Sequence, residues 1–129
     1  MWRLGRDKLK ILLILDDLGK TSGHVKKNDH DPLDTLACNG RHLDISVMFL
    51  GQQFSQMNTA LRSNADVIIF FASHNLRDNL DLYNEVGTGD YKPFRDKIAE
   101  ITNERFHFVL VKNCGGVLKY HHGFEEIQM

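Results

Sequence analysis

Residues 11–19 read ILLILDDLG, and this stretch decides the fold. Its first five residues, Ile11 to Leu15, are continuously apolar, whereas a strand with one solvated face would alternate apolar and polar residues. We therefore predict a strand that is buried on both faces, as in a parallel sheet, and that leads directly into Asp16 and Asp17. Ligands of open parallel sheets bind beyond the carboxyl ends of the strands, so these two carboxylates mark a candidate functional site.

Further strands and helices follow this first strand along the chain. Two runs of strand character are Ile45 to Leu50 and Val67 to Phe71. Asp31 and Pro32 predict the N-cap and first residue of a helix that ends near Cys38. Met57 and Leu61 have helical spacing, and the stretch from Asn75 to Glu85 carries Leu76, Leu80 and Tyr83 at helical spacing. Phe94, Ile98 and Ile101, which follow Pro93, predict another helix.

The end of the chain has a different pattern. Phe106 to Val111 and Val117 to Tyr120 flank Lys112 to Gly116, a glycine-containing connection that predicts a β-hairpin. The whole order predicts an α/β fold, with a mostly parallel sheet flanked by helices first and a hairpin last.

Composition limits the class of protein. A chain of 129 residues with 42% hydrophobic and 26% charged content suits one domain. Sixteen basic against seventeen acidic residues give a formal net charge of -1, which excludes a histone-like DNA binder but permits a local basic patch. Two cysteines do not make a disulfide framework, and no apolar run approaches the roughly 18–20 residues of a membrane span. We expect a soluble intracellular chain.

The two carboxylates suit a magnesium site. Adjacent carboxylates are costly to bury, and a hydrated Mg²⁺ offsets their charge. In nucleotide hydrolases the first acid after such a strand holds Mg²⁺, usually through water, and the second polarises the water that attacks the γ-phosphate. The alternative is that one Asp caps a turn while the other faces solvent.

A P-loop is missing from the chain. Gly19-Lys20-Thr21 has the form of the end of a G-x-x-x-x-G-K-[ST] motif, but the place of the first glycine is taken by Ile14, inside the predicted strand. That leaves no room for a loop whose backbone amides wrap phosphates. The motif does not occur elsewhere in the sequence.

Polar residues at the ends of the later strands form a second candidate cluster. Gln52 and Gln53 follow the second strand, and Gln52 is expected beside Asp16 and Asp17 if the first two strands are neighbours. An amide there donates to a γ-phosphate oxygen and accepts from the attacking water. Arg41 or Arg62 would supply positive charge to the transition state, within one subunit or across to a neighbour. The alternatives are surface arginines and a glutamine bonded to backbone.

The segments ILLILDDLG, GRHLDISVMFLGQQ and LRSNADVIIFF, in this order, resemble the FtsK/HerA-type P-loop ATPases. The resemblance is to the branch of DNA-packaging ATPases of large DNA viruses, which includes the poxvirus packaging ATPase, and it covers roughly residues 9–90. That family has a Walker B strand ending in acids, a G-R-H-like segment, a strand ending in Gln and an R-x-N-x-[DE] segment. The matching residues here are Asp16 and Asp17, Gly40 to His42, Gln52, and Arg62 to Asp66.

The resemblance implies a role for each matched residue, with ATP and Mg²⁺ as cofactors. Asp16 would be the Mg²⁺-associated acid, usually acting through water, and Asp17 the water-polarising one, in place of the commoner Glu. Gln52 would be the sensor, with Gln53 as the alternative. Arg41 is the first candidate for an arginine finger acting in trans, and Arg62 the second.

The resemblance also implies how much of the ATPase is present. Because Walker A is missing, residues 1–129 resemble a single partial domain that runs from Walker B to the C-terminal part of the core. The chain alone is expected to be inactive.

The resemblance further implies ATP-driven translocation of viral double-stranded DNA into a capsid. The partners would be copies of the chain in a hexameric or pentameric ring and components of the capsid or portal, without a membrane span. The location would be the host cytoplasm or viral factory, or the virion. The alternatives are a non-catalytic remnant or interaction module with the same fold, and another Mg²⁺ enzyme such as a nuclease.

Two other features of the sequence are weaker indications of a functional site. Groups that bind metals occur in Cys38-x3-His42 and in Cys114 with His121-His122. No CxxC or HxxxH pair accompanies them, so we do not expect a zinc site. We expect Cys38 in the core and both histidines on an exposed strand end. The basic loop from Lys20 to Lys27 has no aromatic residue and suits either contact with DNA phosphates or simple solvation.

Overall fold

A computed structural model describes residues 10–17 and 32–129, whose backbone contacts group them into two units. The first unit holds the described residues up to Gln52 together with Gln56–Asn64, and the second holds Gln53–Ser55 and Ala65–Met129. The elements of the first unit are β1 (Ile11–Asp16), α1 (Pro32–Asn39), a 3-10 helix (Gly40–Leu43), β2 (Ile45–Leu50) and α2 (Thr59–Ser63). Those of the second unit are β3 (Val67–Phe71), α3 (Leu76–Val86), α4 (Tyr91–Ile101), β4 (Phe108–Cys114), β5 (Val117–His122) and β6 (Glu125–Ile127). A second 3-10 helix, Phe54–Gln56, lies where the chain passes between the two sets of residues.

In the first unit, β1 and β2 form a two-stranded parallel sheet. The register runs from Ile11 opposite Ile45 to Asp16 opposite Leu50. One more backbone hydrogen bond extends the ladder, from the Asp17 N–H to the Leu50 carbonyl at 3.0 Å. The predicted parallel arrangement is confirmed for these two strands. They are also neighbours, which was the condition for placing Gln52 beside the acids, and their carboxyl ends meet at one edge of the sheet.

The prediction that β1 is buried on both faces is wrong for the described part of the chain. Leu12 and Ile14 are 59% and 54% exposed, whereas Leu13 and Leu15 on the other face are half-buried. β2 shows the same alternation. A strand that is apolar on both faces needs cover on both, and the described residues of the first unit cover only one.

Asp17 turns the chain out of β1 with a left-handed backbone, at φ 53°. This conformation brings the Cβ of an L-residue close to the following carbonyl, and Asp tolerates it better than most residues because its short polar side chain bonds locally. The turn comes directly after the last bond of the ladder. It leaves the Asp17 carboxylate at the edge of the sheet.

The start of β2 is set by a close approach at Gly40. A Cβ at this position would lie 3.3 Å from the Ile45 carbonyl oxygen, so a side chain here would push against backbone. The 3-10 helix Gly40–Leu43 ends at Asp44, which is left-handed at φ 55°. Arg41 therefore lies at the amino end of β2. Upstream, α1 begins at Pro32 as predicted, while its expected N-cap, Asp31, is outside the described residues.

The prediction of a mostly parallel sheet is wrong for the second unit, which has a four-stranded antiparallel sheet in the order β3-β4-β5-β6. Within the described residues, parallel pairing is confined to β1 and β2. Phe71 at the end of β3 lies opposite Phe108 at the start of β4, so β4 begins where β3 finished. The reason is the pair of 11-residue helices between these two strands. Two helices of equal length return the chain to the edge of the sheet that it left, so the next strand runs antiparallel. A single crossover helix would instead carry the chain to the start of a parallel strand.

The predicted hairpin at the end of the chain is confirmed as β4 and β5. Its turn needs glycine, because Gly115 and Gly116 have φ of 65° and 91°, and the Asn113 side chain accepts the Gly116 N–H at 2.8 Å. The sequence did not predict β6, a short strand that follows a further left-handed glycine, Gly123.

The core of the second unit lies between α3, α4 and one face of the antiparallel sheet. Its buried apolar side chains include Ile68, Phe70, Leu82, Val86, Phe94, Ile98, Ile101, Val109 and Val111. The helix predicted from Asn75 to Glu85 is observed as α3. Leu76 and Leu80 of this helix are exposed, and its buried positions are Asp78, Asp81, Leu82 and Val86.

Asp78 is a carboxylate inside this core, only 2% exposed. The Ser55 N–H donates to its Oδ1 and the Ser73 hydroxyl to its Oδ2, each at 2.8 Å. Burial acts to raise the pKa of Asp78, but hydrogen bonds from the Ser55 hydroxyl and N–H, from Ser73 and from the Phe54 N–H together lower the pKa below its ordinary value. The carboxylate is therefore ionised and well satisfied.

We predict that Asp78→Asn lowers the free energy of unfolding by about 1–3 kcal/mol at neutral pH, because charge-assisted bonds become weaker or unmade. The folded pKa lies below the unfolded one, so the stabilisation by the carboxylate is present above the unfolded pKa and is lost as the pH falls through the folded pKa. Urea unfolding from neutral pH to about pH 2 should thus show the difference between wild type and variant shrinking. A difference that stays constant with pH would contradict this account.

For the left-handed turn we predict that Asp17→Ala is less stable than Asp17→Asn by about 1 kcal/mol. Asp17→Gly should not share this loss, because glycine takes positive φ without steric strain. Thermal unfolding of the three variants ranks them. Equal stability of the Ala and Asn variants would show that the turn relaxes when the side chain changes.

Candidate functional site at the carboxyl ends of the parallel strands

The site is built by the parallel pairing of β1 and β2. Asp16 is the last residue of β1, Asp17 is the turn that follows it, and Gln52 comes two residues after Leu50 at the end of β2. The Gln52 Nε2 donates to the Asp17 Oδ2 at 3.4 Å. The predicted proximity of the glutamine to the acidic pair is thus observed in the structure.

Gly51 determines how the chain leaves β2 before Gln52. A Cβ at Gly51 would lie 3.1 Å from the Met57 Cε and 3.3 Å from the Phe49 ring. Met57 thus covers the backbone just ahead of Gln52. The sequence placed Met57 on a helix, but α2 starts later, where the Asn58 side chain accepts the Ala60 and Leu61 N–H groups as N-cap.

The three side chains of the site are exposed and rich in oxygen. A bond of 3.4 Å is long for N–H···O, so the contact between Gln52 and Asp17 orients the two groups without locking them. Two carboxylates and an amide oxygen are hard ligands, and Mg²⁺ in proteins is typically held by one or two carboxylates and several waters. Within residues 10–17 and 32–129 no cluster of three or more His, Cys, Asp or Glu side chains forms a complete metal cage. An aqua-Mg²⁺ held by Asp16 and Asp17 fits this ligand set.

The backbone of Arg41, the first candidate for the arginine finger, lies at the end of β2 opposite to Gln52. It lies in the 3-10 helix before β2, whereas Gln52 follows the far end of this six-residue strand. A strand rises about 3.3 Å per residue, so about 17 Å of β2 separates the two ends.

The remaining predicted residues lie in other settings. Arg62 is half-buried in the last turn of α2, where its Nη2 donates to the Thr59 Oγ1 at 3.4 Å. Gln53, the alternative sensor, is exposed and belongs to the second unit. The basic loop Lys20 to Lys27 and the Gly19-Lys20-Thr21 segment lie outside the described residues.

The groups considered for zinc differ partly from expectation. Cys38, which we expected in the core, is exposed, as is Cys114. His121 is buried at 6% exposure, against the expectation, while His122 is exposed as expected. Among the helices that the structure describes, none combines the length and the hydropathy needed to cross a bilayer.

Asp78 is a buried carboxylate that the sequence analysis did not single out. It precedes Leu82 and Val86 at spacings of four residues on one helical face. The leucines at positions 76 and 80 have the same spacing, but both are exposed.

Comparison with solved structures identifies a similar fold in viral packaging enzymes. The chain matches the genome packaging NTPase B204 of Sulfolobus turreted icosahedral virus 2 in complex with AMPPCP, at a TM-score of 0.62 and 18% identity, over 85% of this chain and 53% of that one. The complex of the same NTPase with ATP-gammaS matches at a TM-score of 0.60 and 18% identity, over 85% of this chain and 50% of that one. A further structure of B204, which is described as the DNA-packaging ATPase from Sulfolobus turreted icosahedral virus, also matches at a TM-score of 0.60 and 18% identity. This match covers 85% of this chain and 50% of that one. The likeness is one of fold, and the chain spans about half the length of these structures.

Sequence comparison identifies the family. A search of curated protein sequences gives no match. The family described as Poxvirus A32 protein matches residues 3–113, which is most of the chain and includes both β1 and β2 with the residues at their carboxyl ends. The resemblance expected from the order of the acidic, glutamine and arginine segments is confirmed, and this chain belongs to the Poxvirus A32 protein family.

Proposed function

We propose that this chain supplies the acid and sensor half of an ATPase that packages viral double-stranded DNA. The observation that carries the proposal is the contact of Gln52 with Asp17 where two parallel strands end, in a chain of the Poxvirus A32 protein family. Support for the substrate comes from the B204 proteins of similar fold, which are described as a genome packaging NTPase and a DNA-packaging ATPase. We further propose that both units belong to one partial ATPase domain.

Each residue of the site has a distinct task in this proposal. Asp16 would hold Mg²⁺ through water, and the bound ion would supply positive charge for the phosphates of ATP. Asp17, whose backbone is left-handed and whose carboxylate accepts a hydrogen bond from the Gln52 amide, accepts a proton from the attacking water. Gln52 donates from its amide nitrogen and accepts at its oxygen, so it orients the water and responds to the loss of the γ-phosphate.

The position of Arg41 favours action in trans. Because the length of β2 separates the backbone of Arg41 from Gln52, the proposed task of Arg41 is to serve the acidic pair of another copy. A ring of identical subunits, hexameric or pentameric, supplies such neighbours. Arg62 is the second candidate, and its bond to Thr59 would have to open for it to reach a nucleotide.

A P-loop must come from outside this sequence. G-x-x-x-x-G-K-[ST] does not occur in it, so the phosphates need backbone amides from another segment or another polypeptide, and the chain alone is inactive in this proposal. The complete assembly would act in the infected cell or in the virion and would bind DNA and the capsid or portal.

We predict that Asp17→Asn lowers kcat for ATP hydrolysis by about 100-fold or more in the assembly of this chain with the P-loop polypeptide, because a positioned base contributes on this scale. The KM for ATP should change little, since Asp17 acts on water. Gln52→Ala should also lower kcat, by about tenfold or more, because the water loses an orienting group. Steady-state hydrolysis measures both.

Asp44→Asn is the matched control, because Asp44 has the same left-handed backbone at the opposite end of β2 and should retain wild-type kcat. Wild-type hydrolysis by the Asp17 variant would overturn the proposed role. A folded wild-type assembly that binds no ATP would support a non-catalytic interaction module instead.

A further inference from the structure

Two histidines of the second unit meet at the open end of the hairpin formed by β4 and β5. His107 directly precedes β4, and His122 is the last residue of β5. The His122 Nε2 lies 3.2 Å from the His107 Nδ1, and the two rings meet edge-on with their centroids 5.1 Å apart. The His107 side chain is 40% exposed and His122 is also exposed, so an ion from solution can reach both ring nitrogens.

Glu104 determines which nitrogen of His107 is available to a ligand. Its Oε2 lies 3.4 Å from the His107 Nε2, the ring nitrogen that does not contact His122. A carboxylate only accepts hydrogen bonds, so it favours the tautomer of His107 with hydrogen on Nε2 and leaves the lone pair on Nδ1. Histidines that bind metals in proteins typically have this arrangement, in which the second ring nitrogen donates to a carboxylate.

The backbone around both histidines is held by hydrogen bonds. The His107 N–H donates to the Glu104 carbonyl at 3.1 Å and closes a turn ahead of β4. Phe106 lies in this turn with a left-handed backbone at φ 69°, which is rare for a bulky residue and persists only where the surrounding structure holds it. After β5, the Gly123 N–H donates to the Phe108 carbonyl at 2.9 Å. The two rings are thus attached to fixed points of the hairpin.

The distance between the two nitrogens suits one shared metal ion. A tetrahedral ion that is held by imidazole nitrogens at about 2.0–2.1 Å sets two such ligands about 3.3 Å apart. Imidazole is a ligand of Zn²⁺, Cu²⁺ and Ni²⁺, whereas Mg²⁺ takes oxygen ligands. This pair differs from the groups considered from the sequence, because His107 lies 15 residues before His122.

We propose that His107 Nδ1 and His122 Nε2 bind one Zn²⁺ ion at the open end of the hairpin. Water fills the remaining positions, since no group of three or more His, Cys, Asp or Glu side chains that could hold a metal occurs in the described part of the chain. The ion joins the start of β4 to the end of β5, opposite the turn at Gly115 and Gly116. The site uses neither Asp16 nor Asp17, so this inference is independent of the proposed function.

Calorimetric titration of the full chain with ZnCl₂ tests the site. The wild type should bind Zn²⁺, and His107→Gln and His122→Gln should each abolish this binding because one of two protein ligands is lost. Glu104→Gln should weaken the affinity by about tenfold, since loss of the carboxylate behind a ligating histidine has an effect of this size. An excess of Mg²⁺ should not displace Zn²⁺.

His74→Gln is the matched control, because His74 is another exposed histidine of the second unit and should leave the affinity for Zn²⁺ unchanged. The ring nitrogen NMR signals of His107 and His122 should shift on addition of Zn²⁺, whereas that of His74 should not. A wild type that binds no Zn²⁺ would show that the two rings share only a hydrogen bond, and this would overturn the proposal. Binding that is undiminished in both His107→Gln and His122→Gln would overturn it too.

Thermal unfolding checks that the variants fold and that the ion binds the folded hairpin. Without metal, His107→Gln and His122→Gln should unfold at temperatures close to that of the wild type, because both side chains are exposed. With excess ZnCl₂ the midpoint of the wild type should rise, since a ligand that binds only the folded state stabilises it. The midpoints of the two variants should stay where they were. An equal rise in wild type and variants would place the ion elsewhere and contradict the site.

Discussion

The parallel pairing of β1 and β2 is the constraint on which the rest of the candidate site depends. The ladder sets Asp16 opposite Leu50, and the additional bond from the Asp17 N–H to the Leu50 carbonyl carries this register into the turn. A slip of one residue would send every side chain of β1 to the other face. Because the register is fixed, the acidic pair and Gln52 reach the same edge even though 35 residues separate Gln52 from Asp17 in sequence.

The apolar surface of the two sheets is only partly covered by the described residues. Leu12 and Ile14 of β1 are more than half exposed, as are Ile69 and Phe71 of β3, the first strand in the order of its sheet. Exposed apolar patches of this kind are characteristic of surfaces that associate with other protein. This agrees with a chain that spans about half the length of the packaging NTPases whose fold it shares.

The two units use polar groups in different ways. In the first unit the carboxylates are exposed and lie at an edge, where a metal ion and water can reach them. In the second unit Asp78 is buried and is satisfied by backbone N–H groups and hydroxyls, an arrangement that holds structure in place. The first arrangement leaves the carboxylates open to ligands, whereas the second uses a carboxylate to satisfy buried donors.

The sequence by itself determined the strands Ile45–Leu50 and Val67–Phe71, the hairpin turn at Gly115 and Gly116, the acidic pair, and the family, because these depend on local periodicity, on positive φ and on ordered motifs. Only the tertiary structure decided that β3 joins an antiparallel sheet, since pairing depends on where two helices return the chain. It also decided which face of α3 is buried, because two stripes of similar regularity compete in that helix and packing selects one. The hydrogen bonds of Asp78 make a carboxylate acceptable on the buried face, and one of these donors, the Ser55 N–H, comes from 23 residues earlier, so only the folded chain brings it to Asp78.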